Sequence, residues 1–511
     1  MTSAPSFFSN SQNVNVIGSN FTAITGDVHY HLQRNEFGKS HPLQLIGPQE
    51  VINLVGLHRL SQVISHGAVH DSSERSSPTK CDPETRKEVL KLIEDWIDDP
   101  SPSCSVLWLY GPVGTGKTAI LQSIAELLNL NSDSQDQTTR RRGASFFFSK
   151  GQPGREQADR LFSTIGYQLA INLPSLRDHV DRIMTLNPIL HTKSMDVQLN
   201  SLIFHAFRKL RKEGIELPHT PTVIIDGLDE CQPEGNQIQQ NILALISKAV
   251  IDKIPLRFLI ASRPEAHIRE CFDQIDLHTI TRRVVLDDSF NPNKDIELIL
   301  RKGFAEIYNR NRHVMSQTSN NWPGDGIIDQ LVQKSSGQFI YATTVLNFVG
   351  AEFYLPTERL EIVLAPHSSH SKSNYPFSDL DVLYTHILSV RHGRDPRAVV
   401  QVLGVILVLH CPQPPEVIEN ILSMKQGEVA IMLRSLHSLI QFPGMKDEIY
   451  EHGLWKTGSD GVRLLHTSFQ DYLVDEHRSG QFFVNIAEAH AQLTVAGFKL
   501  MTKWILHYPT R

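Results

Sequence analysis

The stretch "GPVGTGKT", Gly111 to Thr118, restricts the possible fold more than any other part of this chain. It fits the pattern G-x-x-x-x-G-K-[ST], follows the apolar run "SVLWLY", and leads into "KTAILQSIAELLNL", whose apolar residues recur at helical spacing. Glycines let a backbone turn tightly and aim its N–H groups at phosphate oxygens, and the N-terminus of a following helix adds partial positive charge. A strand, this loop and a helix therefore predict a phosphate-binding P-loop in an α/β fold.

The positions of this loop have different expected roles. Lys117 is expected to reach the β and γ phosphates of a nucleotide, and Thr118 to offer its hydroxyl to Mg²⁺. The other positions expected to contact the nucleotide are Gly111, Gly114, Thr115, Gly116 and Ala119. The spacing of Gly114, Gly116 and Ala119 also overlaps a dinucleotide-binding fingerprint, but no acid ends a second strand at the distance which that site requires. The sequence therefore favours a site for a nucleoside phosphate with magnesium.

A second motif, "TPTVIIDGLDECQP" (220–233), places acids at the end of an apolar strand. Asp226 is expected to hold Mg²⁺, usually through water, as the acid after the second strand does in P-loop proteins. Asp229 and Glu230 lie just past the strand, near the place of an attacking water, and we favour Glu230 as the general base with Asp229 as the alternative. Alone, the motif would indicate an acidic turn that closes a core strand, and the P-loop upstream is what favours the magnesium site.

A third stretch, "LRFLIASRPE", predicts a strand that ends at Ser262 and Arg263. An arginine at the end of a strand beside the acid is expected to contact the γ-phosphate, as cations do in phosphoryl transfer. Arginines are common at strand ends, so this stretch by itself fits an ordinary surface arginine equally well.

The chain changes character along its length. Between residues 81 and 290 predicted strands and helices alternate, which indicates a parallel sheet with helices on both faces. After about residue 290 the pattern is helical, and a predicted hairpin near residue 448 suggests a winged-helix module. The expected order is an N-terminal segment (1–40), a helix and linker (41–80), the P-loop core (81–290), a helical domain (291–366), a linker (367–378), a winged-helix-like domain (379–475) and a C-terminal helix (476–511).

The N-terminal segment is rich in Ser, Asn and Thr, poor in charge, and interrupted by Gly18 and Gly26. A flexible tail is the simpler expectation. Its short alternating pieces and its asparagines also fit a strand-forming segment that stacks with copies of itself.

Composition excludes several classes of protein. A net charge of −6 and an apolar fraction of 40% fit a soluble globular protein with no bulk affinity for nucleic acid. The five cysteines are widely spaced and never in CxxC spacing, which argues against a disulfide framework or a zinc knuckle. The chain begins without a signal-peptide pattern, and its longest apolar run, Val399 to Leu409, is too short to span a bilayer and predicts a buried helix. We expect no nucleic-acid partner, no membrane span and a cytoplasmic location.

The motifs "GPVGTGKT", "VIIDGLDEC" and "FLIASRPE", in this order and spacing, resemble the NACHT domains of the STAND class of signalling NTPases, and more closely the NACHT proteins of mushroom-forming fungi. Supporting stretches are "GAVHDSSERSSPTKCDPETR", "GASFFFSKG", "STIGYQLA", "SGQFIYATTVLNFV" and "LLHTSFQDYLVD". The resemblance implies a P-loop core, a small helical domain, and a winged helix that folds back on the nucleotide. No repeat with a period of about 20 to 50 residues is found, so the repeat arrays with which such receptors usually sense a signal are not recognisable in this sequence.

The resemblance also implies a residue role, cofactors and partners. His466, in "LLHTSFQDYL", occupies the place of a winged-helix histidine that touches the β-phosphate of ADP in related animal receptors, and would hold a closed state until ATP binds. By its pattern alone, His466 would be interpreted as a histidine packed at a helix start. The implied cofactors are ATP or ADP and Mg²⁺. The implied partners are further copies of the chain on activation and a downstream effector protein contacted through the N-terminal segment.

Three functions stay open. The first is a signalling switch that hydrolyses ATP slowly and exchanges a closed monomer for an open oligomer in an innate-immunity or heteroincompatibility-like response. The second is an assembly scaffold whose N-terminal segment self-associates and whose nucleotide site is structural only. The third is a metabolic P-loop ATPase or kinase, for which the sequence shows no further cluster of polar catalytic residues. The large helical region after the core favours the first, because a switch needs a second region whose position depends on the γ-phosphate.

Overall fold

The computed structural model describes residues 54–75, 79–100, 103–130, 143–232, 236–316, 318, 321–352, 354–365, 378–389, 396–434, 436–441 and 461–507. The N-terminal segment 1–40, nearly all of the predicted linker 367–378 and the tip of the predicted hairpin lie outside these residues.

Five parallel strands form the sheet that carries the P-loop. They are β1 (Val106–Tyr110), β2 (Ala144–Phe147), β3 (Thr222–Asp226), β4 (Arg257–Ser262) and β5 (Thr281–Val285). Their order in the sheet is β2-β3-β4-β1-β5, and every neighbouring pair is parallel. The strands β1 to β4 are buried almost throughout, as their continuous apolar runs predict for a sheet covered on both faces. Since β4 lies between β1 and β3, its carboxyl end comes between the P-loop and the acids after β3.

Strand β5 is not predicted from the sequence. It lies at one edge of the sheet, where Arg282 and Arg283 are exposed. An edge strand needs no continuous apolar run, so the signal that marks β1 to β4 is missing here.

Helices cover both faces of this sheet. They are α1 (Val55–Ser61), α2 (Lys87–Asp98), α3 (Lys117–Leu130), α4 (Leu161–Asn172), α5 (Pro174–Leu186), α6 (Met195–Gln198), α7 (His205–Lys212), α8 (Asn236–Ile251), α9 (Ala266–Asp273) and α10 (Ile275–His278). Helices α2 and α3 share a core with Ile224 of β3, whereas α1, α4, α5, α7, α8 and α9 share another with Ile225. Neighbouring residues of one strand thus enter opposite cores, as strand alternation requires.

In the sequence, Asp82 followed by Pro83, Glu84 and Thr85 resembles a helix start, but α2 begins at Lys87. The predicted start is wrong, because the chain makes a turn at Asp82 and Arg86 has a φ of +56°. A residue in this left-handed region cannot continue a right-handed helix. The backbone N–H of Arg86 instead donates to the carboxylate of Asp295, at 2.9 Å.

The region after residue 290 is helical and includes one short pair of antiparallel strands. Its elements are α11 (Pro292–Arg310), α12 (Asp325–Ser335), α13 (Phe339–Val349), α14 (Pro356–Leu364), α15 (Ser378–Ser389), α16 (Pro396–Val408), α17 (Pro415–Leu422), α18 (Glu428–Arg434), β6 (Ile440–Gln441), β7 (Arg463–Leu464), α19 (Thr467–Leu473), α20 (Glu476–Ser479) and α21 (Ile486–His507). Strands β6 and β7 pair in an antiparallel manner, and the winged-helix-like domain stays a prediction. The predicted α/β P-loop core followed by a helical region is confirmed.

One hydrophobic core runs through this helical region, from Ile296 on α11 to Val484. It joins residues of the predicted helical domain to residues of the predicted winged-helix-like domain, and the boundary between these two stays a prediction. Within the stretch 327–353, which the sequence predicts as helical, the described residues form α12 and α13, with Ser336 and Gly337 at positive φ between the two helices.

The apolar run from Val399 to Leu409 falls in α16, where Val402, Leu403 and Val405 are fully buried. It is a core helix, as its length predicts. Within the described ranges, no helix combines the length and apolarity needed to cross a bilayer.

Candidate phosphate-binding site

The predicted P-loop connects β1 to α3, which starts at Lys117. Gly114 and Gly116 have φ values of +79° and +89°, which favour glycine. Gly114 is also closely packed, since a Cβ added there would lie 2.3 Å from Cγ2 of Ile340 at the start of α13. The backbone N–H of Ile340 donates to the carbonyl of Gly114 at 3.3 Å. The helical region therefore packs directly on the loop.

The ammonium group of Lys117 folds back into this loop. Its Nζ donates to the carbonyls of Gly111 and Pro112, at 2.8 Å each. Burial lowers the pKa of Lys117 to about 8, and the nearby charge of Asp229 partly offsets the effect. The lysine can therefore exchange two backbone carbonyls for phosphate oxygens without a large movement.

Thr118 and Asp226 provide adjacent oxygen atoms. The side chain of Asp226 is buried and hydrogen-bonded to Thr118, and burial raises its pKa to about 6. Oxygen donors of this kind suit Mg²⁺, which keeps several waters and takes phosphate oxygens for the rest of its shell. The described residues include no group of three or more His, Cys, Asp or Glu side chains able to hold a metal, but a P-loop magnesium does not need one. These two residues fit Mg²⁺.

Asp229 is bound on both oxygens by Arg263. The backbone N–H of Arg263 donates to Oδ1 at 2.9 Å, and its Nε lies 3.1 Å from Oδ2. Only 5% of the Asp229 side chain is exposed. This carboxylate is therefore committed to positioning Arg263.

Arg263 also reaches across to α19. Its Nη1 lies 2.7 Å from Oδ2 of Asp471, and its Nη2 donates to Oγ1 of Thr467 at 3.1 Å. All three nitrogens of the guanidinium thus have partners on the chain. The nearby carboxylates outweigh the effect of burial and raise the pKa of Arg263.

Glu230 has weaker partners than Asp229. It accepts hydrogen bonds from the backbone N–H of Lys150 at 3.3 Å and from the hydroxyl of Thr467 at 3.4 Å. Burial and the charge of Asp229 raise the pKa of Glu230 to about 7. A carboxyl group that titrates near neutrality is suited to accept a proton from water.

His466 is the N-cap of α19. Its Nδ1 accepts from the backbone N–H of Ser468 at 3.0 Å, which fixes the ring proton on Nε2 in the neutral form. Burial and the charges of Arg263 and Lys117 lower the pKa of His466 to about 4. The imidazole is therefore neutral at physiological pH, and it lies close enough to both cations to respond to their charges.

All the residues predicted for the site meet at the carboxyl end of the strands. They are Gly111, Gly114, Thr115, Gly116, Lys117, Thr118, Ala119, Asp226, Asp229, Glu230, Arg263 and His466. Thr115 is buried, and its hydroxyl donates to the carbonyl of Pro112 at 3.0 Å.

Four further residues at the site were not predicted. Arg86 donates from Nη2 to the carbonyl of Thr115 at 2.8 Å. Arg75, Arg155 and Asp471 lie around the acids. Arg75 and Arg86 fall in the stretch "GAVHDSSERSSPTKCDPETR", whose resemblance to the NACHT family is a signal that could have indicated them.

Comparison with known proteins agrees with the fold. A sequence profile of the nephrocystin 3 N-terminal region matches residues 85–263, roughly a third of the chain, and these residues include the P-loop, Asp226 and Arg263. The core has the fold of a P-loop NTPase. No curated protein matches the chain.

Several solved structures are distantly similar. A Walker-type ATPase of Pyrococcus abyssi is 13% identical with a TM-score of 0.33, over 76% of this chain and 95% of that one. Cdc6p of Pyrobaculum aerophilum is 14% identical with a TM-score of 0.29, over 74% and 93%. The Aeropyrum pernix Orc1 protein, solved in complex with DNA, is 12% identical with a TM-score of 0.27, over 78% and 90%.

Proposed function

We propose that the protein is a nucleotide-controlled signalling switch of the NACHT type, similar to those of mushroom-forming fungi. It binds ATP or ADP with Mg²⁺ and hydrolyses ATP slowly. Lys117 and the backbone of the P-loop hold the phosphates, while Thr118 and Asp226 hold the magnesium, which would neutralise phosphate charge. The bond between Thr118 and Asp226 and the position of the Lys117 ammonium group against the P-loop carbonyls support these roles.

In the proposed reaction, the oxygen of a water forms a bond to the γ-phosphorus while the bond from that phosphorus to the bridging oxygen breaks. ADP keeps the electron pair of the broken bond. Glu230 accepts the proton of the water and later releases it to solvent. The pKa of Glu230 near 7 supports this role, and the two contacts of Asp229 with Arg263 support a positioning role for Asp229.

The observation that carries the switch proposal is the contact between α19 and the catalytic edge of the sheet. Asp471 pairs with Arg263, and Thr467 bonds both Arg263 and Glu230. In a metabolic ATPase, the acid that activates water does not need to be bound by a second region of the chain, as Glu230 is bound here by α19. A γ-phosphate near Arg263 would compete with Asp471, and a ligand shifts an equilibrium only through such differential contacts.

His466 is proposed to sense the nucleotide from the same helix. Its Nε2–H has no hydrogen-bond partner among the described residues, and its pKa responds to Lys117. In the closed state this N–H donates to the β-phosphate of ADP. The contact is lost when α19 moves away.

The proposal extends to assembly and location. The open state forms homo-oligomers in the cytoplasm, and the N-terminal segment contacts an effector protein. Five free cysteines fit a reducing compartment, and the net charge of −6 gives no reason to include a nucleic-acid partner.

Two measurements on purified protein separate the switch from a metabolic enzyme. We expect ADP to co-purify and to exchange slowly, with a turnover for ATP far below the roughly 10 s⁻¹ that is typical of enzymes. Turnover at or above that value would contradict the switch. A protein purified empty that also fails to bind added ADP or ATP would favour the scaffold function.

A further inference from the structure

Two arginines that the proposed mechanism leaves unused lie at the end of β2. The Nε of Arg155 donates to the carbonyl of Phe147 at 3.3 Å, and Phe147 is in register with Asp226 on the neighbouring strand. The guanidinium of Arg75 lies 3.8 Å from the centre of the Phe147 ring, and its Nη2 donates to Gln122 at 2.9 Å. Both arginines are therefore beside the carboxyl end of β3.

Neither of these arginines forms a salt bridge within the described residues, although Glu230, Glu74 and Asp226 attract Arg155 from further away. Among the described residues, no carboxylate oxygen lies within 4.0 Å of the guanidinium of Arg155 or Arg75. Burial and the charge of Arg155 lower the pKa of Arg75 to about 10, and Nε of Arg75 is buried without a hydrogen-bond partner. The charges of these two partly buried arginines repel each other, so an anion beside the pair would be stabilised by both.

The position of that anion follows from the neighbouring charges. The carboxylates of Asp226 and Glu230 interact electrostatically with both Arg155 and Lys117. Arg155 is therefore close enough to these acids to add positive charge to the site beside that of Lys117. Glu230 accepts a hydrogen bond from the backbone N–H of Lys150, which belongs to the same loop as Arg155, so this loop lies beside the proposed general base.

We propose that Arg155 binds the γ-phosphate of ATP, an inference that rests on the nucleotide-binding function proposed above. Its two Nη groups donate to γ-phosphate oxygens and stabilise the charge that grows on them as water adds and the bond to the bridging oxygen breaks. The proton of the water goes to Glu230, and ADP leaves with the electron pair. Arg155 is a second arginine for this phosphate, distinct from Arg263.

The two arginines differ in availability. Arg263 is held by Asp229, Asp471 and Thr467, whereas the one hydrogen bond of the Arg155 guanidinium within the described residues leaves its Nη groups unengaged. Arg155 can therefore distinguish ATP from ADP while α19 still contacts the site. Arg263 binds the γ-phosphate only after Asp471 has been displaced from its guanidinium.

Backbone hydrogen bonds hold together the loop that carries Arg155, and one further hydrogen bond attaches this loop to Glu230, the proposed general base. Ser149 N–H donates to the carbonyl of Arg155 at 3.1 Å, and Arg155 N–H donates to Gln152 at 3.0 Å. Lys150 N–H in the same loop donates to Glu230. Contact of Arg155 with a γ-phosphate is thereby coupled to the position of Glu230.

The test compares Arg155→Ala with wild type in the full-length chain. Dissociation constants for ADP and for the slowly hydrolysed analogue ATPγS are measured with Mg²⁺, together with ATP turnover. We expect ADP affinity to be unchanged, the preference for ATPγS over ADP to fall about tenfold, and turnover to fall about 100-fold or more. Arg155→Lys should recover part of the preference, because it keeps the charge, but little of the turnover, because it loses the planar fork. If Arg155→Ala does not fold, the same measurements on Arg155→Lys test the proposal.

Arg160→Ala is the matched control, because it removes an exposed arginine of the same segment and should behave as wild type. An Arg155→Ala variant with wild-type preference and turnover would overturn the role of Arg155 and leave the proposed function standing. Equal losses of ADP and ATPγS affinity would also overturn it, because a γ-phosphate contact cannot affect ADP. A wild-type protein that binds neither nucleotide would refute the proposed function, and this inference with it.

Discussion

At the scale of residues, the three acids after β3 have separate environments although they lie within five positions of the chain. Asp226 is buried against Thr118, Asp229 is paired with Arg263, and Glu230 keeps only long hydrogen bonds. Burial raises the pKa of Asp226 to about 6 and that of Glu230 to about 7. Titratable groups whose environments differ in this way can divide metal binding, positioning and proton transfer among them.

Glu230→Gln tests the proton-accepting role. We expect ATP binding to persist and turnover to fall by about 100-fold or more, because the amide cannot take the proton of water. Wild-type turnover should fall as the pH is lowered through about 7, since the protonated fraction of Glu230 grows below its pKa. Turnover is measured from pH 5.5 to about 8.5 at saturating ATP, with the exposed Glu306→Gln as control.

The stability of the Glu230→Gln variant to unfolding gives a second test of this role, and it does not depend on nucleotide. Because the pKa of Glu230 is raised from 4.5 to about 7, the folded state binds more protons than the unfolded state between these values, and stability falls as the pH rises through that window. Glu230→Gln should therefore stabilise the nucleotide-free protein at pH 8 by about 3 kcal/mol in denaturant unfolding. Normal turnover in this variant, or a rate that does not change with pH, would transfer the role of general base to Asp229.

At the scale of elements, the short helix α19 links the site to the helical region. Ser468 bonds the hydroxyl of Tyr384 at 2.8 Å, and Tyr472 bonds Thr385 at 2.7 Å, so α19 is attached to α15 by one buried and one partly buried hydrogen bond. On its other side α19 contacts Arg263 and Glu230 through polar groups only. The contacts of α19 with α15 are better shielded from water than its contacts with Arg263 and Glu230. We therefore expect α19 to leave the site together with α15.

Asp471→Asn tests this polar side. Loss of the charge weakens the pairing with Arg263, and we expect bound ADP to dissociate about tenfold faster, because a partly buried ion pair contributes on the order of 1 kcal/mol or more. Release of a fluorescent ADP analogue, followed by stopped flow, measures the rate. The exposed Glu476→Gln of the same segment is the control. Equal release rates in Asp471→Asn, the control and wild type would show that α19 does not hold the closed state.

The sequence predicts these elements unequally. The P-loop and Asp226 are predictable because each motif is local, so strand, turn and functional residue are neighbours in the chain. Arg155 and Asp471 reach the acids only through tertiary folding, and no local pattern marks them. The left-handed Arg86 moves the start of α2, and it depends on Asp295, more than two hundred residues away.

At the scale of the whole molecule, the P-loop lies where the sheet domain meets the helical region. Ile340 of α13 packs on Gly114, and Arg86 links Thr115 to Asp295 of α11. Helix α19 contacts Glu230 and Arg263 at the carboxyl end of the same sheet. A nucleotide in this loop would therefore touch both halves, which is the arrangement that couples binding to a change of state.

The proposed switch requires that the γ-phosphate of ATP change the state of assembly of the protein. The measurement is the mass of the full-length Glu230→Gln protein by light scattering, with ADP and with ATP, each with Mg²⁺. We predict a monomer with ADP and an oligomer with ATP, and a monomer in both nucleotides when Lys117→Ala is added. The same mass with ADP and ATP, or ATP-independent assembly that persists with Lys117→Ala, would contradict the switch.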